Sequence, residues 1–555
     1  MIARVITEEI EKLIKEAQES GILPKEISPR FQVEPPKVEE HGDYATNAAL
    51  SLAGQAKRNP REIALWFAER LGSKRDLFSK VEVAGPGFIN FFIAPAYWQQ
   101  VPKNILTLGE KYGRSRVGQG QKIQVEFVSA NPTGPLHIGH GRGAAVGDTL
   151  ARVLSWAGFE VEKEYYINDV GRQMKILGHS VYLRAKELSG EEIDFPKDHY
   201  QGEYIRELAR ELLAQEPDLL TKPEEEAVEI AKNFAVEKIL SGIRKDLEDF
   251  GVTYDSWFSE KSLYESSEVK RALDLLREKG LLYEKDGALW FRAADFGDEK
   301  DRVVIRATGE PTYFASDIAY HHHKFLTRGY DQVVDIWGAD HHGYIPRLKA
   351  AVKALGIEPE RLQVILIQMV NLIEGGELKS MSTRAGEFVT LRELLDEVGR
   401  DATRFIFLTR RADSPLDFDV DLAKRQSQEN PVYYVQYAHA RLASIFRKAK
   451  EAQVELKPLV EIDFSLLNEP EDFTLLKLLD YFPDVIEAAA LKREPHRLTF
   501  FLLDLATAFH NYYTKHRFLG EDEGLTQARL ALAKALKQVI AQGLWLLGVS
   551  APERM

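Results

Sequence analysis

Glu126-Phe-Val-Ser-Ala-Asn131-Pro-Thr-Gly134-Pro-Leu-His137-Ile-Gly139-His140 decides how this chain is read. An apolar run at residues 123–128 predicts a buried strand, and the Pro/Gly-rich stretch after it predicts a tight turn. His137-Ile-Gly-His140 then opens an Ala/Leu/Arg-rich segment that predicts a helix over about residues 142–156. Strand, turn and helix N-terminus together make an anion site, because backbone N–H groups and the helix dipole favour phosphate there. Two imidazoles one turn apart add donors suited to charge building up at phosphorus.

Working outward, residues 122–166 read as strand, helix and strand, the order of a parallel α/β unit. Residues 1–110 read as a separate α+β domain, with helices over residues 2–18 and 63–71 and strand-like alternation over 81–93 around Gly85-Pro86-Gly87. Residues 102–120 have the Gly, Lys and Arg content of a linker. A catalytic α/β domain is expected over residues 111–425, carrying a Glu/Lys/Arg-dense helical insertion at about 190–290. Strand-like runs resume at residues 302–307, 332–337 and 364–372 to complete the sheet. Residues 426–555 read as all-helical, broken at Pro431, Pro458, Pro470 and Pro483.

Composition narrows the chemistry. The 555 residues exceed one core, so about three or four domains are expected. With no cysteine, disulfides, thiolate nucleophiles and thiolate zinc sites are excluded. A net charge of -13 argues against indiscriminate nucleic-acid coating, so any RNA site must be a local basic patch. No uninterrupted apolar run is long enough to span a bilayer, and residues 1–18 read as an acidic amphipathic helix unlike a targeting peptide. A cytoplasmic protein without membrane contact is expected.

Further motifs have both a plain and a chemical reading. Lys379-Ser-Met381-Ser382-Thr-Arg384-Ala-Gly386 follows the Gly375-Gly376 turn and is either a surface loop or a basic segment that closes over phosphates. Tyr313 and Asp317 stand four apart on a predicted helix and share a face. With Glu126 they would give one cationic group two carboxylates and an aromatic ring, a set that suits a guanidinium. Trp337-Gly-Ala-Asp340-His341-His342 ends a predicted strand and is either a polar turn or part of a nucleotide site. Asn168-Asp169 follows another strand, either as a helix cap or as cleft lining. The histidines at 321–323 and 341–342 are adjacent and point different ways, so no metal site is expected. Tyr512, Tyr513, Lys515 and Arg517 interleave rings with cations, as in single-stranded RNA binding or in a half-buried aromatic stripe.

His137-Ile-Gly-His140 resembles the signature of class I aminoacyl-tRNA synthetases, and the flanking pattern resembles the arginyl-tRNA synthetases. The resemblance extends to the Met-Ser-Thr-Arg-x-Gly loop and residues 430–450. It also takes in Ala551-Pro-Glu-Arg-Met555, His41-Gly-Asp-Tyr-Ala-Thr-Asn47 and Gly85-Pro-Gly-Phe-Ile-Asn-Phe91, nearly the whole chain. It implies a class I Rossmann-like parallel-sheet domain, an N-terminal domain touching the tRNA elbow and a C-terminal all-α anticodon-binding domain. It implies an arginine–tRNA ligase that uses ATP and Mg²⁺, with activation requiring tRNA(Arg), and that works as a monomer.

Carried over position by position, Glu126, Ser129, Asn131, His137, Tyr313 and Asp317 bind L-arginine. His137, Gly139, His140, Asp340, His341 and Met381 bind ATP, and His137, His140, Lys379, Ser382 and Arg384 assist the chemistry. Tyr512, Tyr513, Lys515 and Arg517 touch tRNA, and no resident metal is implied. The loop departs from Lys-Met-Ser-Lys, with Ser380 first and Thr383 fourth. Some members compensate with a lysine at the position of Gly134, which leaves Lys379 and Arg384 as the candidate phosphate contacts. A shorter metabolic nucleotidylyltransferase would leave residues 426–555 without a role, and a non-catalytic RNA-binding paralogue would be expected to lose the His pair.

Overall fold

The computed structural model describes residues 2–27, 30–36, 38–379, 389–520 and 522–555. At its centre lies a five-stranded parallel sheet: β1 (Lys122–Glu126), β2 (Glu160–Ile167), β3 (Ser256–Ser259), β4 (Gln332–Gly338) and β5 (Leu362–Ile367). Their order is β5-β4-β1-β2-β3. The chain leaves β1 in one direction for β2 and returns on the other side as β4. The resulting crevice at the carboxyl ends of β1 and β4 is where open α/β sheets bind ligands. Helix α1 (Ile138–Trp156) crosses from β1 to β2, α2 (Arg172–Leu188) follows β2, and α3 (Tyr313–His322) precedes β4.

Several boundaries differ from expectation, each for a local reason. β1 stops at Glu126 because Val128 and Ser129 take φ of 68° and 41°, which no strand residue can hold. Helix α1 starts at Ile138 rather than near 142, since His137 itself is its N-cap. The supposed linker contains the helix Val101–Leu108, whose Val101 and Ile105 are buried and whose C-terminal Gly109 carbonyl accepts from Gln538 at 2.7 Å.

The supposed all-helical insertion holds β3, a strand of the central sheet, and the hairpin Leu282–Lys285 and Ala288–Phe291. Arg302–Ile305 joins that hairpin in a small antiparallel sheet instead of completing the parallel one. The run at 364–372 splits between β5 and Val370–Glu374, which pairs with Leu416–Asp419 in another sheet.

The N-terminal part is a four-stranded antiparallel sheet covered by the helices Ile2–Glu19, Ala48–Ala56 and Pro60–Gly72. The C-terminal part packs four long helices, Pro431–Glu451, Pro470–Lys492, His496–Lys515 and Glu523–Leu547. Pro431 and Pro470 start helices, whereas Pro483 lies inside one and does not break it. Glu523–Leu547 is long and apolar enough to cross a membrane by length and composition, but about two-thirds of its apolar window is buried in the bundle, as in a core helix.

Candidate active site

The two motif histidines form an imidazole version of a capping box. His137 Nδ1 accepts from the amides of Gly139 at 3.1 Å and His140 at 3.3 Å, while His140 Nδ1 accepts from the His137 amide at 3.3 Å. Their rings stack with centroids 3.6 Å apart. An accepting Nδ1 puts the hydrogen of each neutral ring on Nε2. Burial lowers the pKa of His137, and burial with the His137 neighbour takes His140 down to about 3. Both rings are therefore neutral donors near pH 7. The first helix amides, expected to receive phosphate, are engaged by the His137 ring instead.

Register sets the other half of the crevice. Glu126 stands level with Glu164 on one side and Asp335 on the other, so three carboxylates line up across β2, β1 and β4. Fully buried Lys324, just beyond α3, donates to Glu126 at 2.6 Å and Asp335 at 2.9 Å. Tyr320 donates to Glu164 at 2.5 Å, Arg328 also pairs with Glu164, and His321 contacts Asp335 at 3.0 Å. Burial works to raise Asp335, but Lys324 and His321 prevail and hold it down at about 2. Burial pushes Glu126 up against the pull of Lys324.

Two carboxylates of the crevice meet hydroxyls instead of a lysine or arginine. Asp317 accepts from the Tyr344 hydroxyl, and burial raises its pKa. Glu260 sits directly after β3 and is 2% exposed. It bonds the Ser316 and Tyr166 hydroxyls and is pushed up to about 7, mainly by burial. The sequence reading missed Glu260 because it took β3 for part of a helical insertion. A short Ser-Trp-Phe-Ser run bounded by polar residues was the signal available.

Tyr313 begins α3 and is 53% exposed, so its ring borders the open side of the crevice. A Cβ on Gly171, whose φ is 90°, would lie 3.0 Å from the Tyr313 hydroxyl oxygen. Asn131 donates to Gln173 at 2.8 Å, and Ser129 Oγ donates to Glu126 at 3.0 Å. A Cβ on Gly134 would come within 3.2 Å of the Tyr204 hydroxyl, which donates to the Thr133 carbonyl at 2.6 Å. Asp340 and His341 lie exposed in the turn that leaves β4.

Asp169 does not cap α2, whose N-cap is Gly171. Its carboxylate accepts from Ser259 Oγ and the Lys261 amide, joining the ends of β2 and β3. His322 and His323 both face Glu268.

Met381, Ser382 and Arg384 lie outside the described residues, but the flanks of their segment are placed. Lys379 donates its amide to Leu372 and pairs its side chain with Glu374. At the other flank, the Val389 carbonyl accepts from the Ile138 amide, and Thr390 bridges His137. In the C-terminal bundle Tyr512 is fully buried with its hydroxyl on Asp472, so its ring cannot stack on RNA as expected. Tyr513 is half-buried under Arg441, while Lys515 and Arg517 are exposed, Lys515 beside Glu471.

A parallel sheet with its crevice at the strand ends, a stacked His pair capping the first helix and Val389–Thr390 held against that pair define a class I aminoacyl-tRNA synthetase. Family models match in three consecutive stretches: arginyl-tRNA synthetase N-terminal domain over residues 2–93, class I (R) synthetase catalytic domain over 100–415, and DALR anticodon-binding domain over 435–555. The arginine–tRNA ligase of Syntrophotalea carbinolica is 55% identical over 95% of both chains, and that of Carboxydothermus hydrogenoformans 50% over 100% of both. A Campylobacter jejuni structure described as a putative arginyl-tRNA synthetase is 36% identical, with a TM-score of 0.76, covering 83% of this chain and 99% of that one. The Thermus thermophilus arginyl-tRNA synthetase shares the fold across 100% of both chains, with a TM-score of 0.79 at 24% identity. The chain belongs to the arginyl-tRNA synthetase family.

Proposed function

We propose that the protein is an arginine–tRNA ligase that joins L-arginine to the 3′ end of tRNA(Arg) at the expense of ATP. The arginine carboxylate attacks the α-phosphate in line, forming arginyl-adenylate and releasing pyrophosphate. A terminal ribose hydroxyl of the tRNA then attacks the adenylate carbonyl, forming the arginyl ester, breaking the acyl–phosphate bond and releasing AMP. The observation that carries the choice of amino acid is the pairing state of the crevice carboxylates. Glu126, Asp335 and Glu164 already face Lys324 or Arg328, whereas Asp317 and Glu260 are bonded by hydroxyls. A guanidinium matches two such carboxylates with planar donors.

In this reading Asp317 and Glu260 hold the guanidinium, Tyr313 covers it, Ser129 and Asn131 orient the α-amino end, and His137 faces the arginine carboxylate where it meets the α-phosphate. Glu126 acts from behind, through Ser129. His137 and His140 present Nε2–H donors to the α-phosphate, where charge grows during attack. Gly139 leaves room for ATP beside them; Asp340, His341 and Met381 border the nucleotide; Ser382 with Lys379 or Arg384 steadies the departing pyrophosphate.

Among the described residues no group of three or more acids or histidines could hold a metal ion. Mg²⁺ would be carried by the ATP phosphates and would neutralise part of their charge. Residues 1–110 would contact the tRNA elbow, 111–425 perform the chemistry and 426–555 read the anticodon, with Tyr513, Lys515 and Arg517 as surface contacts. We infer a cytoplasmic monomer, free of membrane, whose first step waits for tRNA.

ATP–pyrophosphate exchange with each amino acid, with and without total tRNA, tests this. Exchange with arginine in the presence of tRNA is expected. Exchange with glutamate or methionine, or none with arginine plus tRNA, would overturn it.

A further inference from the structure

Three carboxylates in register across adjacent strands repel one another, and like charges directly opposite destabilise a sheet. The row Glu164, Glu126 and Asp335 nevertheless sits at the floor of the crevice, with each residue at or below 8% exposure. One buried ammonium joins it together. Lys324 lies seven residues after Asp317 and four after Tyr320, a spacing that carries the face of α3 holding those two into the turn that follows it. The helix ends there in a single π turn, His323–Thr327, a feature common at functional sites. The Lys324 ammonium spends two donors on Glu126 and Asp335 and sits 4.1 Å from the centre of the Tyr320 ring. Besides those groups, Glu164, His321 and Asp317 face the same space.

Through Glu126 the lysine reaches strained backbone. Glu126 Oε1 accepts from Ser129 Oγ, and that oxygen in turn accepts from the Tyr166 amide at 3.1 Å. Val128 and Ser129 both have positive φ, and for a β-branched valine that conformation persists only where its surroundings enforce it. The turn they form leads to Asn131 and then to His137.

We propose that Lys324 is a positioning residue for arginine recognition. It holds Glu126 and Asp335 together in one orientation, pins the Val128–Ser129 turn through Glu126, and so leaves guanidinium binding to Asp317 and Glu260. Lys324 touches neither substrate. The inference rests on the arginine–tRNA ligase reading, and its test separates the two.

The experiment measures KM for arginine and for ATP by exchange in the presence of tRNA. It compares wild type, Lys324→Met, Glu126→Gln and the double variant. Glutamine keeps an acceptor for Ser129 while removing one charge from the row. Lys324→Met should raise the arginine KM by at least about tenfold, with the ATP KM within about twofold. The double variant should be no worse than Lys324→Met alone, because the lysine acts through Glu126. Where Lys324→Met does not fold, Lys324→Gln, which keeps donors without charge, must show the same split. An unchanged arginine KM, equal changes in both KM values, or a double variant showing the product of the single effects would overturn the proposal. Failure of the wild type to exchange arginine would instead overturn the functional reading.

Discussion

In the proposed arginine site, amino-acid choice turns on Glu260 and Asp317. Because burial lifts Glu260 to about 7, a share of the protein carries it neutral at physiological pH. A bound guanidinium favours the ionised form, so arginine binding releases a proton below the free-state pKa. The arginine KM should fall as pH rises from 6 to 8 and level off above, by up to about tenfold per unit on the acid side. Glu260→Gln should flatten that dependence; an unchanged profile would mean that Glu260 does not titrate against the substrate. Asp317→Ala should raise the arginine KM by about 100-fold, the loss of one partner from a buried charged contact, and barely move that for ATP. Equal effects on both substrates would make Asp317 structural.

Asp317 was legible in the sequence because four-residue spacing on a helix is a local signal. Glu260 was not: its role arises from a strand more than 80 residues away from β2 in the chain, docked by pairing that no local periodicity records. Lys324 was hidden for the same reason, since its partners lie on β1 and β4.

At the scale of elements, the phosphate-facing end of α1 does two jobs with one pair of rings. The Nδ1 atoms cap the helix and the Nε2 atoms carry the ring hydrogens, so capping and donation can be tested separately. His137→Asn keeps a capping side chain but loses the Nε2 donor. Its melting temperature should stay within about 2 °C of wild type, while kcat drops by about 100-fold or more, the usual cost of a lost transition-state donor. His137→Ala should lose the cap as well, about 1 kcal/mol of stability. Equal melting losses in both variants would show that asparagine does not replace the imidazole cap.

The strand–turn–helix order was legible here, yet its edges moved inward at Glu126 and outward at Ile138. Positive φ at Val128 and an imidazole cap are tertiary solutions, and propensity does not encode them. Tyr512 illustrates the reverse error: an aromatic–basic alternation that looks suited to RNA also describes a helix whose ring faces the core.

Across the whole molecule, a buried guanidinium ties α1 of the catalytic part to the last helix of the C-terminal bundle. Arg404 donates to Asp148 at 2.7 Å on α1, to the Leu547 carbonyl at 2.8 Å and to the Phe250 carbonyl at 3.3 Å. Both charged side chains are fully buried. Gly548, with φ of 70°, ends the last helix where a Cβ would fall 2.4 Å from the guanidinium carbon. Gly548→Ala should therefore destabilise the protein by about 3 kcal/mol or more, combining left-handed strain with a clash against a buried charge. Scanning calorimetry would check it, and a melting temperature unchanged within error would show that the junction yields.

The N-terminal domain closes on the same bundle. The Ile2 amide donates to Asp480 at 2.8 Å, and Lys477 pairs with Asp43 at 2.5 Å. The three-part division was legible from composition and motif order, whereas these junction contacts join residues hundreds of positions apart.

The central claim is that this crevice selects a guanidinium and passes it to tRNA. Its most direct measurement is acid-precipitable radioactivity after incubation with ATP, total tRNA and each labelled amino acid in turn. Arginine alone should enter tRNA, and Asp317→Ala should slow that entry by about fifty-fold at arginine concentrations near the wild-type KM. Charging with any other amino acid, or arginine charging indifferent to Asp317, would contradict the account.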